Sequence, residues 1–337
     1  MAPPRGRPLA APRSAISQRR ARVCALVALA ACVACAHRLE YDSTPASMRR
    51  EVARRVVDIE PADVIVPFEV GEPTLQHARE LLEGISVGED RVDALVSSLS
   101  DPAGFGLRYE WATSGTAAET LLRGAGNCLA LSSTLIGIAR GLGLKAWYLE
   151  VIVAEPHWRT EGNLAVQADH VAAVIVSGER RLYVDFSGRL MGARRVRAID
   201  DFEALAHYYN NRGYETLHRA EREGAEVDWA AISRDFEMAT RIHPANARAW
   251  NNLGVARARQ GDDAGARLAY EKAIEAEPDT QSAHLNLVTL FLRAGDLERA
   301  ARHLDLARRL EPRNPQIERL TDSLSQSAEN GWAASDR

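Results

Sequence analysis

A repeat constrains this chain more than any other feature. Residues 247–279 read ARAWNNLGVARARQGDDAGARLAYEKAIEAEPD. A shift of 34 residues carries Trp250, Leu253, Gly254, Ala266, Tyr270, Ala273 and Pro278 onto His284, Leu287, Val288, Ala300, Leu304, Ala307 and Pro312, and four of the seven types are kept. A shift the other way finds Phe236, Ala239 and Pro244. Small residues recur where two helices touch, large ones fill the space between them, and a proline stops the second helix. Such a unit cannot bury its apolar face alone, so neighbouring units must stack.

This pattern resembles the tetratricopeptide repeat, a helix pair of that length. The resemblance implies an all-α solenoid over residues 203–326, with about three repeats and a capping helix at 315–326. The first repeat is irregular. Its opening helix is displaced, with YNNRG at 209–213 and about seven extra residues before the second helix. Residues 327–337 are polar and read as a flexible tail. The resemblance implies a concave surface for a protein or peptide partner.

Ahead of the repeats the periodicity changes. Helical patterns cover TLQHARELLEGI and EDRVDALVSSLS. PAGFGLRYEW reads as a loop and short strand, and Thr116 to Glu119 form a capping box. After Asn127, an N-cap residue, Leu129, Leu131, Leu135, Ile136, Ile138 and Ala139 predict a helix buried on most sides, ended by Gly141 to Gly143. KAWYLEVIVAE, HVAAVIV and RLYVDF then read as strands, the last two joined by a turn at 177–180. Residues 51–200 therefore form an α+β domain.

The chain has four cysteines, and three of them, Cys24, Cys32 and Cys35, lie in the first 35 residues. Residues 1–31 carry six arginines and no acid, followed by a short apolar run from Val23 to Ala31. This reads as a signal peptide, because the run is too short to span a membrane. Leu29-Ala30-Ala31-Cys32 resembles a bacterial lipobox, which implies lipid attachment at Cys32, with Cys35 second, and a tether over 32–50. The expected place is the cell envelope, facing the periplasm or exterior, anchored in the membrane by lipid. A secreted soluble chain, cut after one of the alanines, is the alternative.

Cys128 is then the thiol of the folded body. At a helix start it meets the positive end of the helix dipole and unpaired N–H groups, both of which favour thiolate. Alone it reads first as a small buried residue. His170 opens one strand and Asp185 lies on its hairpin partner, so the carboxylate can orient the imidazole and the imidazole can serve the thiol.

Gly126-Asn127-Cys128, Arg140-Gly141-Leu142-Gly143-Leu144, His170-Val171 and Tyr183-Val184-Asp185-Phe186 resemble, in order and context, the core of the transglutaminase-like superfamily, a papain-like thiol fold. The resemblance covers roughly 80 residues, 109–188. It implies Cys128 as nucleophile, His170 as base and Asp185 as orienting group. The activity it implies is amide or peptide hydrolysis, or acyl transfer. Tyr109 and Trp111 are candidate oxyanion or substrate residues, with ordinary packing as the alternative. His157 and Trp158 are candidates to line a cleft, and Asn127 is a cap before it is an oxyanion donor. No metal is expected, because His157 and His170 are thirteen apart with no clustered cysteines or carboxylates. No cofactor is expected either, and the net charge of −4 with no basic cluster in the body excludes a nucleic-acid binder. The rival readings are a non-catalytic peptide-binding scaffold and a maturation factor with one dedicated partner.

Overall fold

A computed structural model describes residues 43–335, apart from 57, 87, 112, 154–157, 162–163 and 168–169. The first elements are helices α1 (Pro45–Arg55), α2 (Glu72–Leu81) and α3 (Glu89–Ser100). A two-residue strand β1 (Arg108–Tyr109) runs parallel to β2 (Ala125–Gly126), with helix α4 (Ala117–Arg123) between them. Helix α5 (Cys128–Gly141) follows. It is buried along Cys128–Ala139, which explains its nearly unbroken apolar sequence.

Strands β3 (Lys145–Val153), β4 (Trp158–Glu161), β5 (Leu164–Gln167), β6 (Val171–Ser177), β7 (Arg180–Val184) and β8 (Ala193–Ile199) come next. Four of them form an antiparallel sheet in the order β7-β6-β3-β8, and β4 pairs with β5 as a separate hairpin. Helix α5 lies on the sheet face that carries Tyr148, Val171, Ala173 and Ile175. Leu149, Val151, Ala172 and Val174 form a second cluster on the opposite face. The β6–β7 turn falls at the expected 177–180, with Ser177 paired to Arg180 and Gly178 at a positive φ of 59°.

The rest is helical. α6 (Asp201–Glu223) and α7 (Trp229–Ile242) make an irregular first pair. α8 (Ala247–Arg259) with α9 (Asp263–Ala276), and α10 (Gln281–Arg293) with α11 (Leu297–Leu310), make two regular pairs. α12 (Pro315–Ser335) closes the array. A Cβ on Gly254 would fall 2.4 Å from the Tyr270 ring, and one on Gly213 would fall 2.8 Å from the Phe236 ring. The first pair therefore repeats the helix contact of the second, shifted by the extra residues.

Three features differ from the sequence reading. The expected tether, 32–50, overlaps α1, where Thr44 caps, Pro45 opens the helix, and Met48 and Val52 are fully buried one turn apart. The expected tail from 327 is a continuation of α12. The hydroxyls of Ser323, Ser325 and Ser327 bond back to carbonyls four residues earlier, so polar composition does not end the helix. Strand β8 and the β4–β5 hairpin have no counterpart in the sequence reading. β8 reads Ala-Arg-Arg-Val-Arg-Ala-Ile and is largely exposed, so it carries little apolar alternation.

Candidate functional site

Cys128 sits at the first turn of α5 because the preceding residues admit no other path. A Cβ on Gly126 would meet Ala130 at 2.9 Å and Thr120 at 3.0 Å, so the chain approaches the helix there only without a side chain. Asn127 then uses both ends of its amide. Its oxygen accepts from the Ala130 N–H at 3.0 Å, and its nitrogen donates to the Ser114 hydroxyl at 2.8 Å. Asn127 is thus a cap and a brace.

His170 lies just before β6, its carbonyl accepting from the Val151 N–H at 3.0 Å. Its Nε2 lies 3.3 Å from Asp185 Oδ1 and 3.0 Å from the Ser187 hydroxyl oxygen. The Cys128 thiol lies close enough to the His170 imidazole and the Val171 N–H to interact with both. Three residues, the outermost 57 positions apart, therefore meet in one chain of contacts, thiol to imidazole to carboxylate. Cys128 is 6% and His170 8% exposed, so the contacts are shielded from water.

The electrostatics follow from this placement. Burial alone raises the Cys128 thiol, but the His170 charge, the His170 hydrogen bond and the Val171 N–H outweigh it and hold the thiol below its ordinary value. Burial alone lowers His170, but the Cys128 thiolate and the Asp185 carboxylate push the imidazole up to about 9. Burial also raises Asp185, yet its carboxyl is held well below the usual carboxylate range. The ring of His170 does most of that work. The Ser187 N–H at 2.9 Å, the Ser187 hydroxyl at 2.8 Å and the Leu190 N–H at 2.6 Å also donate to the carboxylate. Both shifts act in the direction of moving the thiol proton onto the imidazole.

Tyr109 runs beside this site, in parallel register with Gly126. Burial, and then the charge on Cys128, push its phenol up to about 12, although its side chain keeps an exposed edge. Trp111 is 44% exposed and turns toward α6, with its ring 5.3 Å from His218 and 6.5 Å from Tyr214. Trp158 opens β4 opposite Gln167. His157, Cys32 and Cys35 lie outside the described residues. Among the described residues no group of three or more His, Cys, Asp or Glu side chains could hold a metal ion, and no helix is long and apolar enough to cross a membrane.

Sequence reasoning missed Ser187. The signal was present in the hairpin: continuing the Ala173–Val184 pairing by three steps sets His170 opposite Ser187. Asp185 reaches the imidazole diagonally, and the serine hydroxyl bridges the two.

Residues 247–280 match a family model described as tetratricopeptide repeat, and residues 264–315 match another of the same description. A curated relative, the heat-shock protein cognate co-chaperone sgt12 of Aspergillus fumigatus, is 42% identical over 60 residues. That match covers 18% of this chain and 18% of the relative, so the chain spans less than a fifth of the relative's length. Among solved structures, the OM64 tetratricopeptide domain of Arabidopsis is 19% identical, covering 35% of this chain and 95% of that one, with a TM-score of 0.31. The first such domain of Spaghetti (RPAP3), bound to an HSP90 peptide, is 17% identical over 37% of this chain and 93% of that one, with a TM-score of 0.33. The type III secretion chaperone SycD of Yersinia enterocolitica, in complex with a peptide of the translocator YopD, is 18% identical over 35% of this chain and 88% of that one, with a TM-score of 0.30. The 34-residue period, the helix pairs and the two family matches agree that the C-terminal part of this chain is an array of tetratricopeptide repeats.

Proposed function

We propose that this chain is an exported thiol enzyme of transglutaminase-like, papain-like type, tethered to a membrane by lipid on Cys32, with repeats that bind a protein or peptide partner. The observation that carries the enzymatic reading is the chain of contacts from Cys128 through His170 to Asp185 at the start of a buried helix. In the reaction, the Cys128 thiolate attacks an amide or peptide carbonyl carbon, and a C–S bond forms as the carbonyl oxygen takes negative charge. Imidazolium His170 gives its proton to the departing amine as the C–N bond breaks, leaving a thioester. Neutral His170 then takes a proton from water or an acceptor amine, which displaces the thiol and restores the thiolate. In this reading N–H groups at the start of α5 would hold the oxyanion, with the phenol of Tyr109 as a further donor. Asp185 and Ser187 keep the imidazole turned toward the thiol.

The test is labelling with a thiol-reactive acyl probe. Wild-type protein should label at pH 6, below the ordinary thiol pKa of about 8.5. Cys128→Ala should lose the label that peptide mapping places at position 128, apart from any on the N-terminal cysteines, while keeping its circular dichroism and melting temperature. Equal labelling of the variant would remove Cys128 from the reaction. One observation favours the scaffold reading: Cys128 and His170 are both almost fully covered. Under that reading alkylation would be slow at every pH and would follow an ordinary thiol profile.

A further inference from the structure

Strand β5 packs against α8 and α10, the first helices of the two regular repeats. The face that such helices offer to a partner is therefore met by the chain's own hairpin. Buried amides link the same helices. Asn252 Nδ2 donates to Asn210 Oδ1 at 2.9 Å, and Asn286 Nδ2 donates to Asn251 Oδ1 at 2.9 Å, linking α6, α8 and α10. An amide presents one donor group and one acceptor, as an extended backbone does, so a row of amides suits a strand whatever its side chains.

The same hairpin is joined to the thiol site. β5 ends at Gln167 and His170 follows three residues later. A second tie runs beside it. Arg248 of α8 pairs at 3.1 Å with buried Glu150 of β3, which also holds Arg197 of β8 at 2.7 Å. Glu150 is in register with Val171, and its neighbour Val151 bonds the His170 carbonyl. The repeats therefore hold β5, which leads into His170, and β3, which pairs with the strand that follows it.

We propose that the inner face of the repeats holds this chain's own strand β5, Leu164–Gln167, as its resident occupant, and that seating this strand positions His170 against Cys128. A partner strand that takes the face releases β5 and loosens the histidine. This rests on the thiol reading above for its output, but not for the binding site itself.

The experiment replaces residues 158–167 in the full chain by a Gly-Ser segment of equal length. The probe is a synthetic peptide of the replaced ten residues. The replaced chain should bind the peptide, and wild-type protein, with its face already filled, should bind it at least tenfold more weakly. The pH profile of Cys128 alkylation should move by at least one unit toward the ordinary thiol value in the replaced chain. Failure of a folded replaced chain to bind, or equal binding by wild type, overturns the site. Binding with an unmoved profile overturns the link to His170. Should the replaced chain not fold, Asn251→Ala/Asn286→Ala in the full chain serves instead. Amides of 164–167 should then exchange at least tenfold faster than in wild type, and unchanged exchange overturns the proposal. An ordinary thiol profile in wild type refutes the enzymatic reading, while peptide binding still decides the site.

Discussion

At the scale of single residues, three side chains and one overlooked hydroxyl account for the site. Cys128, His170 and Asp185 were legible because each follows a local rule: a thiol after a helix cap, a histidine opening an apolar strand, and an acid on the partner of a hairpin. Ser187 was not, because Asp-Phe-Ser-Gly reads equally well as a turn, and only register sets the hydroxyl under the imidazole. The sign of the pH effect follows from Asp185. A carboxyl held below its free value in the folded chain contributes stability that is present above about pH 4 and lost as pH falls. His170, raised to about 9, contributes stability that is complete below about pH 6.5 and lost as pH rises through 9. Asp185→Asn should therefore be less stable than wild type at pH 7, by about 1–3 kcal/mol for a buried hydrogen-bonded acceptor. The gap should close on acidification below pH 4. Chemical denaturation at pH 7, 5 and 3 measures it, and a gap that stays constant over this range would refute the assignment of charge to Asp185.

At the scale of elements, the repeat was the most legible part of the chain because its chemistry is one of volume. Small Gly254 faces large Tyr270, and small Gly213 faces large Phe236, so the two pairs share one helix contact although their spacing in sequence differs. The displacement of α6 was readable from YNNRG, since the glycine in it had to find the aromatic of α7. What was hidden was the exposed strand β8 and the small hairpin of β4 and β5. Neither is held by an apolar stripe of its own. Each is held by its partners, β8 by pairing with β3 and β5 by packing on α8 and α10. Helix α1 was hidden for a different reason: Met48 and Val52 are its only buried residues within a strongly charged segment. The glycine contact gives a direct prediction. Gly254→Val places branched carbon where the Tyr270 ring already lies, and Tyr270 is fully buried with no room to retreat. The loss of stability should be about 1–3 kcal/mol by overpacking. Gly254→Val/Tyr270→Leu should recover part of it. Thermal unfolding of the three proteins checks this, and a single variant as stable as wild type would show that α8 and α9 are not in close contact.

At the scale of the whole molecule, the change in periodicity near residue 200 is real in sequence but is not a break in packing. One buried core runs from Met48 and Leu95 through Leu135, Ile138 and Ile175 to Leu205, Tyr208, Tyr209, Ala239, Ile242 and Ala249. It joins the α+β part to the first repeat and the start of the second. Arg140, at the end of the helix that carries Cys128, sharpens the point. It donates to the Ala146 carbonyl and makes a two-pronged pair, 2.9 Å on each side, with the buried carboxylate of Asp201 at the start of α6. A bidentate pair of this kind fixes orientation as well as distance, and removing either partner leaves a charge buried alone. The repeats therefore complete the fold of the part ahead of them as well as following it. A chain ending at residue 200 loses Asp201, the apolar face of α6 and the cover over β3. It should show no cooperative melt and poor amide dispersion, whereas the full chain should lose the α+β signals and those of α6 and α7 in one transition. Residue-resolved hydrogen exchange and melting of the two chains measure this. A sharp melt of the shorter chain would show that the α+β part folds alone and that the first repeat is an addition to it.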